Sequence, residues 1–332
     1  MTAGHNTPLS APGKREEGLD ARPVASVSPA ASAGASASAA FRALLERPGP
    51  VRAAGAHNPL GARLAERAGF DAVWSSGLEI SASQGLPDAD ILTMTELLAV
   101  AQSMAASIPL PVIADCDAGY GNASNVMHMV RRYEAAGIAA VCMEDKCFPK
   151  VNSFIPGRQE LVTTEEFCNK IAAAKSAQSR PDLVVIARLE ALVAGWDLDE
   201  ALRRGEAYAE AGADMVLIHA KGKSPQPVLD FLKLWRMPQP VAVVPTTYHT
   251  VTADELSEAG AKLVIYANHG LRAAITAVSA AFDTILREGR TTGIEDQITP
   301  LSTVFDLQGM GQFLAAEERF VRRPVQTAGA VQ

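Results

Sequence analysis

The chain has 332 residues, of which 48% are hydrophobic, and its formal net charge is −7 at pH 7. A chain of this length buries a large core, and its acidic balance argues against nucleic acid or an anionic membrane surface as main partner. No apolar run approaches the roughly 20 residues that span a bilayer, and the amino terminus lacks the pattern of a secretory signal. The four cysteines form no CxxC pair, so we expect a reducing cytoplasm.

The two ends of the chain differ in composition from its middle. Residues 1–38 are dominated by Ala, Ser, Pro and Gly, which predicts a disordered tail because little apolar surface offsets the entropy of ordering. Residues 39–322 are predicted to form one catalytic domain that ends in a helical segment. A second flexible tail is expected at residues 323–332.

From Val51 onward, short apolar runs alternate with amphipathic stretches at the spacing of a βα unit. The predicted strands are residues 51–56, 72–75, 111–114, 140–143, 183–188, 215–219, 241–244 and 263–266. The predicted helices are residues 59–68, 96–107, 125–136, 165–177, 198–211, 225–234, 272–287 and 310–320. Gly69, Gly137 and Gly212 stand just before strands, where glycine ends a helix in the left-handed conformation. Eight such units predict a single (β/α)₈ TIM-type barrel. An open doubly wound sheet is the alternative, but no GxGxxG follows the first strand.

Acidic side chains lie beyond the carboxyl ends of several predicted strands, the rim that carries the active site in barrel enzymes. Asp88 lies in the loop after the second strand, Asp115 and Asp117 follow the third, and Glu144 follows the fourth. Mg²⁺ prefers oxygen ligands and keeps several waters, so one direct carboxylate with others acting through water is sufficient. These four acids are the predicted Mg²⁺ site. Helix capping, or pairing with Arg188, is the alternative for one or two of them.

Groups suited to an anion gather at the same rim. Arg188 offers a planar fork that matches phosphoryl oxygens, and His219 can donate a hydrogen bond near neutral pH. The segment Glu144–Ser153 adds Lys150, Asn152 and Ser153 directly after a buried strand. A salt bridge for Arg188 and core packing for His219 are the structural alternatives.

Glu144-Asp145-Lys146 followed by Phe148-Pro149-Lys150-Val151-Asn152-Ser153 resembles the signature of phosphoenolpyruvate mutases, within the isocitrate lyase and phosphoenolpyruvate mutase superfamily. The similarity extends through the segments 74–78, 115–121, 187–191 and 266–269, and it covers roughly residues 41–310. It implies that Asp115 is the direct Mg²⁺ ligand, with Asp88, Asp117 and Glu144 around it. It also implies that the eighth barrel helix is exchanged between subunits, giving dimers and usually a dimer of dimers.

The resemblance further assigns a role to each predicted substrate-binding residue. It implies that Ser76, Gly77 and Leu78 form a carboxylate-binding turn through backbone N–H groups. Trp74 is a substrate wall or a core residue. The phosphoryl group is expected to contact Arg188, His219, Asn152 and Ser153, while Lys150 adds positive charge and closes the loop against water.

The expected reaction is the Mg²⁺-dependent interconversion of phosphoenolpyruvate and phosphonopyruvate, which makes a carbon–phosphorus bond for phosphonate biosynthesis. Phosphonopyruvate hydrolase, which gives pyruvate and phosphate, is the alternative, and hydrolases of this family tend to carry Thr where this chain has Asn152. A carboxyphosphonoenolpyruvate mutase is a minor option. Isocitrate and methylisocitrate lyases fit poorly because their Lys-Lys/Arg-Cys-Gly-His loop is absent. A catalytically silent barrel is disfavoured because Asp115 and Arg188 are both present.

Overall fold

The computed structural model of the protein describes residues 36–321. The predicted tails lie outside this range, except for residues 36–38 of the first. Ala37 and Ser38 are the first two residues of a helix, and Ser38 is buried. Residues 37 and 38 therefore belong to a helix, although the predicted boundary at residue 39 assigns them to the tail.

Eight parallel strands, each paired with its neighbours in chain order, form a closed barrel. The strands are β1 Val51–Ala56, β2 Ala72–Ser75, β3 Val112–Asp115, β4 Ala140–Glu144, β5 Val184–Leu189, β6 Met215–Ile218, β7 Val241–Val243 and β8 Ala261–Tyr266. The barrel closes because β1 pairs with both β2 and β8. The predicted (β/α)₈ fold is confirmed, and the strand bounds differ from prediction by at most two residues.

Helices connect the strands and continue beyond the last one. They are α1 Ala37–Glu46, α2 Pro59–Ala68, α3 Gly77–Ser83, α4 Met94–Ser107, α5 Ala123–Ala135, α6 Thr164–Ala177, α7 Ala191–Ala194, α8 Leu198–Glu210, α9 Gln226–Leu234, α10 Ala253–Glu258, α11 His269–Glu288, α12 Leu301–Gln308 and α13 Met310–Phe320, with a 3₁₀ turn at Glu295–Gln297. Gly69, Gly137 and Gly212 have positive φ angles of 89°, 78° and 107°, which confirms that each turns a helix towards the next strand. The short helices α1, α3, α7, α10 and α12 were not predicted.

Alternate residues of the strands point into the barrel and pack there as a separate apolar cluster. Ala53, Trp74, Ile113 and Cys142 belong to this interior cluster, while their chain neighbours face the helices. Phe41 of α1 is fully buried in the same cluster. In α1, Arg42 donates to Asp182 O at 2.8 Å and to Asp214 Oδ1 at 2.9 Å. Asp182 and Asp214 precede β5 and β6, so α1 covers the amino-terminal end of the barrel and leaves the carboxyl end to the site.

The helices after β8 differ from the rest because α11, α12 and α13 have no buried residue. Phe282 and Leu286 of α11 are 66% and 87% exposed. Because the hydrophobic effect favours removing such side chains from water, these exposed apolar residues are available for contacts outside the described part of this chain. No helix among residues 36–321 combines the length and apolar character that crossing a membrane requires.

Candidate active site

A cavity opens at the carboxyl end of the barrel. Its walls come from the ends of the strands and from the loop after β4. The lining residues are Trp74, Ser76, Leu78, Asp88, Asp115, Lys150, Asn152, Ser153, Phe154, Arg188, His219, Val244, Thr246, Ala267 and Asn268.

The strand period places the polar groups in this cavity. Ile113, Cys142, Ile186 and Leu217 point into the barrel. Because successive side chains alternate between the two faces of a strand, the residues two positions later continue the same inward rows. These residues are Asp115, Glu144, Arg188 and His219. A closed barrel therefore brings together side chains from four separate strands where the apolar interior ends.

Asp115 lies at the end of β3 beside the turn that begins α3. Gly77 N–H donates to Asp115 Oδ2 at 3.3 Å. A Cβ on Gly77 would lie 3.3 Å from both Asp115 Oδ2 and Asp117 Oδ1, so the absence of a side chain lets the backbone approach both acids. Burial raises the pKa of Asp115 to about 7, and the charge of Asp117 adds to the rise. The carboxylates of Asp115 and Asp117 are therefore both buried and crowded.

Lys150 connects two of the predicted metal-site acids. Its Nζ lies 2.7 Å from Asp88 Oδ1 and 2.9 Å from Asp117 Oδ1. Burial by itself would lower the pKa of Lys150, but Asp117 and Asp88 outweigh it and hold the pKa well above its usual value. Burial would likewise raise the pKa of Asp88, but Lys150 outweighs it and lowers the pKa. The lysine is therefore a fixed positive charge between two carboxylates.

Asn152 is held from both ends of its side-chain amide. Its Nδ2 donates to Asp88 Oδ2 at 2.5 Å, and its Oδ1 accepts from the backbone N–H of Phe154 at 3.0 Å. The ring of Phe154 lies edge-on to the ring of His219, with 5.7 Å between their centroids. Asn152, where the resemblance expects hydrolases to tend to carry Thr, therefore also ties this loop to Asp88 through its hydrogen bonds.

Glu190 is the centre of a polar wall behind the cavity. The carboxylate is fully buried and accepts from Ser153 Oγ at 2.7 Å and from Arg188 Nε at 2.6 Å, and its Oε1 lies 2.7 Å from His219 Nδ1. Burial would raise its pKa, but Arg188 and His219 outweigh burial and hold the pKa well below 4.5. Lys146 donates to Ser153 Oγ at 2.8 Å. One carboxylate thus orients three lining residues.

The hydrogen-bonding role of His219 depends on its Nδ1, which lies 2.7 Å from Glu190 Oε1 and 3.0 Å from Arg188 Nη2. A guanidinium only donates and a carboxylate only accepts, so the two contacts require different protonation of Nδ1. Burial lowers the pKa of His219 below 6.5. When Nδ1–H donates to Glu190, Nε2 of the neutral ring is an acceptor. Nε2 donates to a ligand when the ring is protonated, or when Nδ1 instead accepts from Arg188.

The donor set fits a hard divalent cation with one direct protein ligand. Within residues 36–321, no group of three His, Cys, Asp or Glu side chains is arranged to hold a metal ion together. The side chain of Glu144 is buried, and its Oε1 has no hydrogen-bond partner. Crowded carboxylates, a buried carboxylate oxygen without a hydrogen bond and the raised pKa of Asp115 fit Mg²⁺, which takes few protein ligands and keeps its waters.

The structure brings all predicted site residues to this cavity or directly behind it. Gly77, Asp117 and Glu144 are not in the lining, but they contact Asp115, Lys150 and Arg188 respectively. The predicted salt-bridge alternative for Arg188 is also observed, because the guanidinium pairs with Glu190 at 2.6 Å and Glu144 at 3.3 Å. Trp74 is both buried core and cavity wall.

The cavity and its supporting residues extend beyond the predicted site residues, and Lys146, Phe154, Glu190 and Asn268 are examples. Lys146 and Glu190 lie two residues beyond Glu144 and Arg188. Because side chains alternate along a strand, continuing the inward-facing row of each strand would have indicated both residues. Asn268 is buried and its Oδ1 has no hydrogen-bond partner. No sequence pattern indicated Phe154.

Comparison with known proteins gives the family. A family model described as Phosphoenolpyruvate phosphomutase matches residues 41–286. The chain belongs to the phosphoenolpyruvate phosphomutase family. This membership confirms the resemblance in the 144–153 segment and in the other strand-end motifs.

The relatives of this chain include both a phosphonopyruvate hydrolase and phosphoenolpyruvate phosphomutases. The chain is 47% identical over 285 residues to a phosphonopyruvate hydrolase of Variovorax sp. (strain Pal2), covering 85% of this chain and 98% of that protein. It is 42% identical over 267 residues to a phosphoenolpyruvate phosphomutase of Tetrahymena pyriformis, covering 80% of this chain and 89% of that protein.

Solved structures support the same family. A crystal structure of a phosphoenolpyruvate phosphomutase from Streptomyces platensis subsp. rosaceus is 75% identical, with a TM-score of 0.85, and the match covers 86% of this chain and 99% of that chain. A phosphonopyruvate hydrolase in complex with oxalate and Mg²⁺ is 45% identical, with a TM-score of 0.82, covering 87% and 100%.

Proposed function

We propose that this enzyme is an isomerase that interconverts phosphoenolpyruvate and phosphonopyruvate and so forms a carbon–phosphorus bond for phosphonate biosynthesis. The main support for the proposal is that one cavity has a wall suited to a phosphoryl group and another suited to a carboxylate. Arg188, His219 and Ser153 form a wall suited to a phosphoryl group, and the Ser76–Leu78 turn beside Asp115 suits a carboxylate. The 75% identity to a phosphoenolpyruvate phosphomutase supports the same reaction.

The rearrangement needs the phosphoryl group to change partners without leaving the cavity. The phosphorus–oxygen bond of phosphoenolpyruvate breaks and its electron pair stays on the enolate. The methylene carbon of the enolate then attacks the same phosphorus. Arg188 and Ser153 hold the transferring oxygens, and the positions of both are fixed by Glu190. Donors fixed in advance are effective because they need no reorganisation as charge develops.

We propose Mg²⁺ as the cofactor, held by Asp115 directly and by Asp88, Asp117 and Glu144 through water. When bound, Mg²⁺ would supply positive charge to the substrate carboxylate and enolate oxygens. The Oε1 atom of Glu144, which accepts no hydrogen bond, and the raised pKa of Asp115 support this site. A related phosphonopyruvate hydrolase has been solved with Mg²⁺ and oxalate. Lys150 holds Asp88 and Asp117 in place.

Phosphonopyruvate hydrolase is the second candidate, favoured by the 47% identity to the Variovorax enzyme. Hydrolysis requires a water at the phosphoryl group, whereas rearrangement requires its exclusion. Asn152 supports the mutase because its amide connects Asp88 to the loop that carries Phe154 over the cavity. Asn152 is also proposed to contact the phosphoryl group during transfer.

The two reactions are separated by ³¹P NMR of the purified enzyme with phosphonopyruvate and Mg²⁺. The mutase converts the substrate resonance to that of phosphoenolpyruvate, and chelation of Mg²⁺ stops the conversion. Inorganic phosphate as the main product of the wild-type enzyme would contradict the proposed function. Asn152→Thr, run in parallel, is expected to form phosphoenolpyruvate more slowly and to raise the phosphate fraction.

We also propose a cytoplasmic homo-oligomer, a dimer of dimers in which α11 is exchanged between subunits. The apolar side chains that α11 exposes, including Phe282 and Leu286, support burial against another copy. The cysteines Cys116, Cys142, Cys147 and Cys168 form no disulfide, which suits a reducing compartment. Light scattering tests the assembly: Phe282→Asp with Leu286→Asp should give monomers, and an unchanged mass would contradict helix exchange.

A further inference from the structure

We propose that Lys170 is a positioning residue for the Mg²⁺ site. Its ammonium group holds the turn after β3 in the conformation that brings Asp115 and Asp117 together, and so sets the affinity for the cation. Lys170 lies on α6, outside the cavity lining. The inference deepens the proposed function and rests on the Mg²⁺ site proposed there.

The turn that follows β3 has an unusual backbone conformation. Asp117, Gly119 and Tyr120 have φ angles of 48°, 84° and 59°. Two of these residues carry a side chain, and for such residues the left-handed region is unfavourable unless the surrounding structure holds them there. Asp115 stands directly before the turn and Asp117 lies in it, so the conformation of the turn determines where both carboxylates lie.

Hydrogen bonds from outside the turn hold it in this conformation. Glu144 N–H donates to Asp117 O at 2.8 Å. Lys170 reaches the turn from α6, and its Nζ donates to Ala118 O at 3.1 Å. Ala118 is fully buried, and within residues 36–321 no backbone N–H donates to its carbonyl. Without the lysine, a buried oxygen would lose its hydrogen bond, and the turn would be free to relax.

Packing alone does not account for a lysine at this position. The residue is 2% exposed, and lysine is rarely buried so completely without a paired carboxylate. Within residues 36–321, the carboxylate that pairs with it is that of Glu166, which lies 3.9 Å from Nζ on a side chain that is 54% exposed. Burial lowers the pKa of Lys170, so the charged form is disfavoured there. An apolar side chain would fill the same space without this cost, and the contact with Ala118 O is what the ammonium group adds.

The charge and the hydrogen bond of Lys170 affect cation binding in opposite directions. An ammonium group repels a divalent cation, so removing its charge alone would strengthen binding. Removing the hydrogen bond loosens the turn that carries the ligands, which weakens binding. Lys150, which lies 2.9 Å from Asp117 Oδ1, contacts a carboxylate directly, whereas Lys170 contacts the turn through its backbone. We therefore expect the loss of the hydrogen bond to have the larger effect.

The test is Mn²⁺ binding to the metal-free protein, measured by electron paramagnetic resonance of the free ion and by competition with Mg²⁺. The variant is Lys170→Met, which keeps an unbranched side chain but has no donor. Lys175→Met is the matched control, because Lys175 lies on the same helix and its Nζ pairs with Asp214, 2.8 Å away, at the amino-terminal end of the barrel. Steady-state kinetics with phosphonopyruvate then give kcat and the Mg²⁺ concentration for half-maximal rate.

We expect the Kd for Mn²⁺ to rise by about tenfold in Lys170→Met, the lower end of the effect of changing a residue that orients metal ligands. The Mg²⁺ concentration for half-maximal rate should rise with it, while kcat at saturating Mg²⁺ stays close to wild type. Lys175→Met should keep the wild-type Kd. Lys170→Gln, whose amide ends one bond short of the lysine nitrogen, should also raise the Kd, and it replaces the first variant if that one does not fold.

A Kd that is unchanged or lower in the folded Lys170 variant, or that rises equally in Lys175→Met, would overturn the proposal. Wild-type protein that binds no Mn²⁺ would overturn the proposed metal site as well. The reaction is tested separately, because inorganic phosphate as the main product would contradict the mutase function without changing the comparison of Kd values.

Discussion

Replacing Glu190 with Gln should damage both stability and catalysis, because this buried carboxylate orients three side chains of the phosphoryl wall. Ser153 Oγ, Arg188 Nε and His219 Nδ1 all lie within 2.7 Å of its oxygens. Gln has nearly the same shape but no charge, and it keeps only one acceptor oxygen. The variant therefore tests the charge and its hydrogen bonds rather than the space that the side chain fills.

The expected loss of stability follows from the charges that remain. Removing one partner of a buried ion pair costs about 3–5 kcal/mol. Arg188 keeps a second partner in Glu144 at 3.3 Å, and the amide oxygen of the introduced glutamine would still accept a hydrogen bond. We therefore expect a loss near the lower limit, about 3 kcal/mol in the free energy of unfolding. Loosened positions of Arg188 and Ser153 should also lower kcat/KM by about 10²-fold, the cost of a misplacement of about 1 Å.

The stability difference should also depend on pH. The Arg188 and His219 side chains hold the pKa of Glu190 well below 4.5 in the folded protein. A carboxyl group with a depressed folded-state pKa contributes its full stabilisation above its unfolded pKa, and loses it as the pH falls through the folded-state value. The difference between wild type and Glu190→Gln should therefore be constant above about pH 5 and shrink below the unfolded pKa near 4.5.

The assay is urea unfolding at several pH values, combined with steady-state kinetics on phosphonopyruvate. Glu79→Gln is the matched control, because Glu79 is also buried and its Oε2 lies 2.8 Å from His57 Nδ1, outside the cavity lining. The control should keep kcat/KM close to wild type. If Glu190→Gln retains kcat/KM within about threefold (about 0.7 kcal/mol) and unfolds at the wild-type urea concentration, the orienting role of Glu190 is wrong.

Three further changes test separate parts of the structure. Asp115→Ala should abolish turnover and its Mg²⁺ dependence while the circular dichroism spectrum is unchanged. Activity above about a tenth of wild type would argue against Asp115 as a direct ligand, since changes to residues around the ligands alone lower activity by ~10–100-fold. Gly55→Ala should lower the free energy of unfolding by about 1–3 kcal/mol, because the added Cβ would clash with Ala267 O. Gly222→Ala is the control, since no atom of the described residues lies within 4 Å of the added Cβ, and equal urea midpoints for the two variants would contradict the prediction. Glu134→Gln should lower the free energy of unfolding by about 1.5–3 kcal/mol at pH 7, because the carboxylate accepts from Ser179 N–H at 2.8 Å and from Arg180 N–H at 2.9 Å. Burial would raise the pKa of Glu134, but the hydrogen bonds from Ser179 outweigh burial and lower it, so the loss should become smaller as the pH falls below about 4.5. A loss that does not depend on pH would refute the role of the charge.

The barrel was predictable because its signals are local and repeated. Gly69, Gly137 and Gly212 each end a helix before a strand, and the apolar runs between helices have strand length. The short helix α3 was missed because it begins at Gly77, directly after β2 and Ser76. No separate helical pattern of apolar residues therefore indicates it. Helix α1 was missed in part because its first residues continue the Ala- and Ser-rich composition of the tail.

The site was predictable as a set of residues but not as a network. The strand period places Asp115, Glu144 and Arg188 on the inward rows, so their convergence follows from closing the barrel. Which carboxylate pairs with which cation depends on tertiary distances, and the sequence does not contain them. Glu190 and Phe154 show this limit. The sequence places Glu190 at a strand end beside Arg188 but does not indicate its three contacts, and Phe154 lies in a loop without periodicity.

The central claim is that this cavity makes a carbon–phosphorus bond, and trapping phosphonopyruvate as it forms tests it most directly. Phosphoenolpyruvate is incubated with the enzyme, Mg²⁺ and excess hydroxylamine, which captures the ketone of phosphonopyruvate as an oxime but does not react with the enol ester in this way. The account predicts that a ³¹P resonance of a carbon-bonded phosphonate accumulates with wild type and is absent with Asp115→Ala. Release of inorganic phosphate with no carbon-bonded phosphorus would contradict it.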